Sequence, residues 1–265
     1  MRAAPEPPGD VFARHRIDAV RPGALERIAR RLRADGLVTF TGVVSRTDVL
    51  TLASRIMTVT GHRDSDSDGL TTIRDTRHHA HRAGFAGLGN GALEPHTDRS
   101  GNPCPPRLMM LVCGQEADVG GECVLVDGRA VHAGLTTVSR EAVTAFSQPR
   151  TAYFGAGDGH PSQVFTVHAD HHVALRLRQD GLARFSPTVQ PYLPQLRAAI
   201  TRHQVLLPVA PGEGYLLDNR RWLHARTAFT GERLCWRALG QPRFPMPEGF
   251  VPEPVAAAAP ALAGR

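Results

Sequence analysis

The chain has 265 residues, of which 42% are hydrophobic and 21% charged; this suits one soluble globular domain with a sizeable core and excludes a disordered chain. All 31 basic residues are arginine, so chemistry that needs a lysine is excluded, namely Schiff-base formation, pyridoxal phosphate attachment and a Walker-A phosphate cradle. The formal charge of +6 is spread along the chain without a basic, aromatic-interleaved run, which argues against a nucleic-acid partner.

The opening MRAAPEPPGD lacks the apolar core of a signal peptide, and no apolar run is long enough to span a membrane. Cys104, Cys113, Cys123 and Cys235 form no CxxC pair, so a zinc ribbon is not expected; reduced thiols and a cytoplasmic location are. In chain order, 22–34 reads as a helix, with Leu25, Ile28, Ala29 and Leu32 at helical spacing. GLVTFTGV then reads as a strand, and 46–58 as a helix capped near Thr47 or Asp48. Residues 60–94 are polar and Gly-rich and are expected to form lid and active-site loops. LMMLVC and ECVLVDG read as strands, the second stopped at Asp127-Gly128, and 139–146 as a short helix capped by Ser139. QVFTVHADHHVALRLR reads as two strands around an Asp-His turn, and 191–203 as a Pro-punctuated helix. GYLLDN and ERLCWRAL complete the strands, and 251–265 is expected to be a flexible tail after a single domain over 1–250. The sum is a mixed α and β chain with a mainly β core, expected as a jelly roll or double-stranded β-helix flanked by helices.

His96 and Asp98 lie two positions apart on an extended segment and face the same way, with Thr97 pointing away. His224 is the candidate third ligand. Two imidazoles and one carboxylate on one face leave coordination positions open, which suits a non-haem iron(II) that must also hold a cosubstrate and dioxygen. The spacing alone is weak. A second triplet, His168-Ala169-Asp170, is followed by His171 and His172, but its place between two strand-like runs makes it a hairpin tip. His78, His79 and His81 sit in the polar loop region and are candidates for the pocket wall.

The surroundings favour the first triplet. PHTD is followed by PP, by GGE leading into a strand that ends in Asp, and by PGEGYLLDNRRWLHARTAF with arginines downstream. In that order and spacing the chain resembles the taurine dioxygenase/TfdA-like family, close to its clavaminate synthase-like members, over roughly residues 85–240. The resemblance implies a double-stranded β-helix, iron(II), dioxygen and a 2-oxoglutarate cosubstrate, which is oxidatively decarboxylated as an unactivated C–H bond of a small molecule is hydroxylated. It also implies an arginine some nine to fifteen residues past the distal histidine for the cosubstrate's far carboxylate. Arg233 and Arg237 both qualify, with Arg233 preferred; residues 233, 235 and 237 share one strand face, and Leu234 and Trp236 the other. Two inward guanidiniums need anionic partners, which a dicarboxylate offers, or structural acids such as Glu232 or Asp218 would have to supply. Many relatives carry Thr or Ser after GGE, where this chain has Cys123, a weak donor that puts the second cosubstrate contact in doubt. Asp98 stands where halogenating relatives have a small residue, which argues against halogenation and leaves desaturation, epoxidation and ring closure open.

Of the remaining candidates, Asn219, Arg220 and Arg226 are expected to orient the distal ligand. Arg176 and Arg178 are expected at the pocket border, and Asp127 as a turn or helix cap. Phe85 fits either a pocket wall or loop packing. The competing readings are a zinc-type hydrolase or lyase on the same barrel and a non-catalytic binding or sensor protein. Neither the substrate nor the oligomeric state is legible, though a biosynthetic intermediate of a specialised metabolite is favoured by analogy with the family.

Overall fold

The computed structural model describes residues 8–77 and 84–254. His78, His79 and His81, and the expected tail beyond residue 254, lie outside the described residues. Chain order alternates helices and strands at first, then becomes mainly β. The first long helix, Ala24–Asp35, buries Ile28, Ala29 and Leu32. It ends because Gly36 takes a left-handed conformation (φ 65°) and returns its N–H to Leu32 O. A side chain there would meet the Trp222 indole nitrogen at 3.1 Å, so the helix end sits directly against the strand that carries His224. The helix Arg46–Ile56 starts at the residue its sequence suggested and ends two residues sooner. Ser45, rather than Thr47 or Asp48, is the N-cap, and Asp48 closes a reciprocal capping box with it.

Two sheets share one buried layer. The larger runs Arg16–Asp18, Leu37–Thr41, Gly214–Asp218, Leu108–Gln115, Leu234–Pro242, Met57–Val59, with Thr71–Ile73 also pairing with Leu234–Pro242. The smaller runs Gln204–Leu207, Cys123–Asp127, Trp222–Arg226, Leu93–His96. Strand alternation divides the core accordingly. Met109, Leu111, Cys113, Tyr215, Leu217 and Cys235 from the larger sheet meet Cys123, Leu125 and Trp222 from the smaller. The opposite faces are covered by helices. Leu108, Met110, Val112 and Leu216 pack under Ala24–Asp35 and Arg46–Ile56. Val126 and Leu223 pack under Gly128–Val138, Arg140–Ser147 and Leu193–Arg202. Because both sides of both sheets are buried, the strands read as continuous apolar runs rather than as alternations.

The helix Gly128–Val138 was not visible in the sequence; Asp127 is its N-cap, accepting from Arg129 N at 3.0 Å. Residues 60–94 are not all loop, since Thr71–Ile73 is a strand within them and the strand Leu93–His96 begins at their end. The hairpin expected around 168–172 forms between Phe165–Val167 and Val173–Leu175, with His171 left-handed at φ 65° in the turn. Arg176 and Arg178 lie beyond that second strand.

Candidate metal centre and its arginine pocket

His96 ends the strand Leu93–His96, and in the antiparallel pairing it stands directly opposite His224 of Trp222–Arg226. The two rings are 4.3 Å apart. Asp98 follows two residues later. Thr97 between them turns away, and its hydroxyl and N–H bond to the backbone of Leu177. The ligand atoms of His96, Asp98 and His224 all lie within 4.8 Å of one another, the one such group among the described residues. Asp98 Oδ2 and His224 Nε2 are 3.5 Å apart. An ion about 2.1 Å from each ligand on one octahedral face would place them about 3 Å apart, so the gap matches a single ion.

The orientation of these groups is fixed by their neighbours. His96 Nδ1 sits 2.8 Å from Glu94 O, and since a carbonyl only accepts, Nδ1 carries the proton and Nε2 is left to face the metal position. Asn219 clamps the Asp98 backbone from both sides. Its carbonyl oxygen accepts from Asp98 N at 2.7 Å, and its amide donates to Asp98 O and Pro106 O, both at 2.9 Å. Beneath it the buried Arg107–Asp218 pair (2.6 and 2.9 Å) anchors the turn that bears Asn219.

Electrostatics set the three groups for a cation. Burial pulls the His224 imidazole down to about 3, helped by His96, and burial also lowers His96. Burial works to raise the Asp98 carboxyl, but Arg237 and the two imidazoles outweigh it and hold it at about 2. At neutral pH the set is two neutral imidazoles and one carboxylate, the protonation state that metal binding requires.

The two arginines beyond His224 part company. Arg237 donates to both oxygens of Asp98, at 3.1 and 3.3 Å. Arg233 is only 8% exposed yet meets no carboxylate among the described residues. Its Nη2 meets Cys123 Sγ at 3.7 Å, with the Phe229 ring alongside. Asp218 is taken by Arg107 and so serves neither. The Gly-Gly before Glu122 makes the space. Gly121 is left-handed (φ 80°), and a Cβ there would stand 2.9 Å from Arg233 Cδ. Thr227, three residues past His224, clasps that turn by accepting from Gly121 N and Glu122 N at 3.0 and 3.1 Å and donating to the Glu122 carboxylate. An unpaired buried guanidinium beside a two-imidazole, one-carboxylate face is the donor set that a metal-chelating dicarboxylate would complete.

Of the other sequence candidates, Asn219 and Arg226 are close to the centre. Arg226 donates to the carbonyls of Gly87, Gly89 and Gly91 and so fastens that loop to the His224 strand. Arg220 does not orient a ligand through its side chain, which turns outward to Glu248. Arg178 pairs with Asp180 near His96, whereas Arg176 ties down the carbonyls of Asn102 and Pro103. Phe85 packs under the Arg63 guanidinium, 3.9 Å from the ring centroid. The second triplet is a closed turn. His168 N bonds to His172 O, and Asp170 engages His172.

Sequence reasoning missed His62 and Arg99. Both line a cleft with Thr60, Asn102, Pro106 and Gln241. Arg99 directly follows Asp98, is left-handed at φ 56°, and has no acidic hydrogen-bond partner among the described residues. Burial, with Arg237 and Arg99 close by, lowers His62 to about 4. The only signal for them was a run of charges that reads equally well as a solvated turn.

With the geometry in place, comparison with known proteins is decisive. The profile of the "Taurine catabolism dioxygenase TauD, TfdA family" matches residues 6–239. The chain belongs to this family. It is accordingly a non-haem iron, 2-oxoglutarate-dependent dioxygenase. Among solved structures, asparagine oxygenase in complex with Fe(II), 3-hydroxyasparagine and succinate is similar at TM-score 0.66 and 19% identity, over 83% of this chain and 79% of that one. The non-heme iron oxygenase OrfP with Fe and alpha-ketoglutaric acid is similar at TM-score 0.66 and 14% identity, over 88% and 83%. OrfP with Fe, succinate and (3S)-hydroxy-L-Arg matches at 0.66 and 13%, over 83% and 81%. At these identities the structural likeness speaks for the fold. Among the described residues no helix is long and apolar enough to cross a membrane.

Proposed function

We propose that this family member holds iron(II) with His96, Asp98 and His224 and grips the far carboxylate of 2-oxoglutarate with Arg233, oxidising a small molecule at a C–H bond. The observation that carries the reading is the convergence of three ligand atoms within 4.8 Å, in a sheet whose neighbour delivers a buried arginine without an acid. When bound, the iron and 2-oxoglutarate supply the oxidising power for dioxygen chemistry, with succinate and carbon dioxide as co-products. The chain's own residues position and insulate. His96 is locked in one tautomer by Glu94, Asn219 fixes Asp98, and Arg237 keeps the Asp98 carboxylate ionised. The two facing sheets are read as a double-stranded β-helix within a single oxygenase domain over residues 1–250. All four cysteines are free, which fits a reducing, cytoplasmic compartment.

On the substrate side, Arg99 lines the cleft without an acid hydrogen-bond partner among the described residues, whereas the nearby Arg63 and Arg237 are each paired with a carboxylate, Asp64 and Asp98. The Arg99 charge favours a small substrate with an anionic group, in keeping with the amino-acid products in the two similar oxygenases. A zinc hydrolase using the same ligands has no use for Arg233. The test is anaerobic addition of iron(II) and 2-oxoglutarate to the folded protein. A weak visible charge-transfer band is expected, and its absence in metal-loaded protein would sink the reading.

A further inference from the structure

The Arg233 guanidinium enters a pocket whose other polar atoms are unusual. Cys113, Cys123, Cys235 and Tyr215 surround it, and no carboxylate is among them. Cys235 and Cys113 are cross-strand partners in the larger sheet, Cys123 comes from the smaller one, and Tyr215 reaches in from Gly214–Asp218. Tyr215 is 1% exposed and packs in one cluster with Cys123, its hydroxyl neighbouring the thiol, which in turn lies 3.7 Å from Arg233 Nη2. Sulfur is a weak acceptor, so this phenol is buried with a poor partner, a costly arrangement unless something better docks there. A carboxylate has about four acceptor sites, and a bidentate arginine fills two of them. The thiol at 123 is a weak donor for the rest. The strongest neutral donor within reach is the Tyr215 hydroxyl, which burial keeps protonated by raising its pKa well above the ordinary value.

We propose that Tyr215 is a cosubstrate-binding residue: its hydroxyl turns from the Cys123 sulfur to the far carboxylate of 2-oxoglutarate and, with Arg233, completes the grip. The inference rests on the iron and 2-oxoglutarate reading and adds to it a division of labour. In this chain the hydroxyl donor comes from the larger sheet, across the interior from Cys123, and the thiol serves as the resting partner that keeps the phenol aimed into the pocket. Tyr215 belongs to the same strand that leads into Asn219, so one rigid element would set both the cosubstrate's far end and the Asp98 backbone.

The experiment is an anaerobic titration of the iron(II)-loaded full chain, read by the visible charge-transfer band. It uses 2-oxoglutarate and, at millimolar concentration, 2-oxobutyrate, which chelates the metal identically but has no far carboxylate. Tyr215→Phe keeps the ring and removes only the hydroxyl. Its expected effect is a roughly 10- to 100-fold weaker binding of 2-oxoglutarate, the range for one hydrogen bond to a charged group, with 2-oxobutyrate binding unchanged. Adding Cys123→Thr to Tyr215→Phe is expected to recover part of the loss by restoring a hydroxyl from the other sheet. Equal weakening for both oxoacids would mean that the ring merely packs, and unchanged binding for both would mean that the phenol never meets the carboxylate; either result overturns the proposal. A wild-type protein that gives no band with either oxoacid overturns the dioxygenase reading itself and this proposal with it.

Discussion

The chain contains two His-x-Asp triplets with identical spacing, and comparing them shows what makes one a site. In His168-Ala169-Asp170 the contacts are local: His168 N meets His172 O, and Asp170 pairs with His172 in the same turn. In His96-Thr97-Asp98 almost every partner is distant in sequence. His96 faces His224, Thr97 meets Leu177, the Asp98 backbone is held by Asn219, and its carboxylate meets Arg237. A local turn holds its backbone and its aspartate in place but, among the described residues, brings no three ligand atoms together at one point. A triplet held by strands from elsewhere can aim two donors outward at one point, because the framework, not the triplet, carries the cost of ordering it.

The sharpest break of that comparison is to remove a ligand from each. His96→Ala is expected to abolish the iron(II)–2-oxoglutarate band and turnover, whereas Asp170→Asn leaves both within about twofold of wild type, as surface substitutions generally do. Equal losses in the two variants would show that the sequence pattern, not its setting, is what matters. Next in size is the arginine pair. Arg233→Ala is expected to raise the 2-oxoglutarate requirement about 100-fold or more, since two charge-assisted hydrogen bonds are lost. Arg237→Ala should instead weaken iron retention, because Asp98 loses the cation that keeps it ionised. Dialysis against a chelator, followed by metal analysis, separates the two. An unchanged cosubstrate requirement in Arg233→Ala would move the anchor to Arg237. Smaller again is Asn219→Ala, which frees the Asp98 backbone and should cost about 10- to 100-fold in iron affinity with the fold intact, the usual price of losing a group that orients a ligand.

The same contrast explains how far the sequence could be read. His96 and Asp98 were legible because a strand's period of two puts them on one face, and His224 because the segment PGEGYLLDNRRWLHARTAF around it carries the family resemblance; the strand Trp222–Arg226 itself was not legible, since arginines break up its apolar residues. The inward face shared by Arg233, Cys235 and Arg237 followed from the same alternation. Which arginine had a partner was not legible, since the Arg237–Asp98 contact spans 139 residues and depends on both sheets. The helix Gly128–Val138 escaped because its Gly- and Thr-rich sequence looks like a continuation of the turn at Asp127. The strands Ala152–Phe154 and His160–Ser162 are three residues each, too short for a period to show. His62 escaped for a different reason. It lies in a charge-rich stretch that reads as solvated, and it reaches the centre only because Met57–Val59 pairs with the end of Leu234–Pro242 and Thr60 N bonds to Leu239 O.

His62 also gives the gentlest way to sharpen the comparison, through pH. Its Nδ1 accepts from Asp64 N at 2.9 Å, so the folded protein holds it neutral with the proton on Nε2. Burial, with Arg237 and Arg99 nearby, lowers its pKa from 6.5 to about 4. A histidine in the unfolded chain takes up its proton near pH 6.5, so between that value and pH 4 the unfolded state binds more protons than the folded one. Stability therefore falls as the pH drops through that window, and the imidazole's contribution is fully present only above it. The metal-free protein should show a Tm that declines from pH 7 to pH 5, and the decline should be shallower in His62→Gln, which cannot titrate. If His62→Gln leaves the slope as it is, the charges gathered around the first triplet are not what sets it apart.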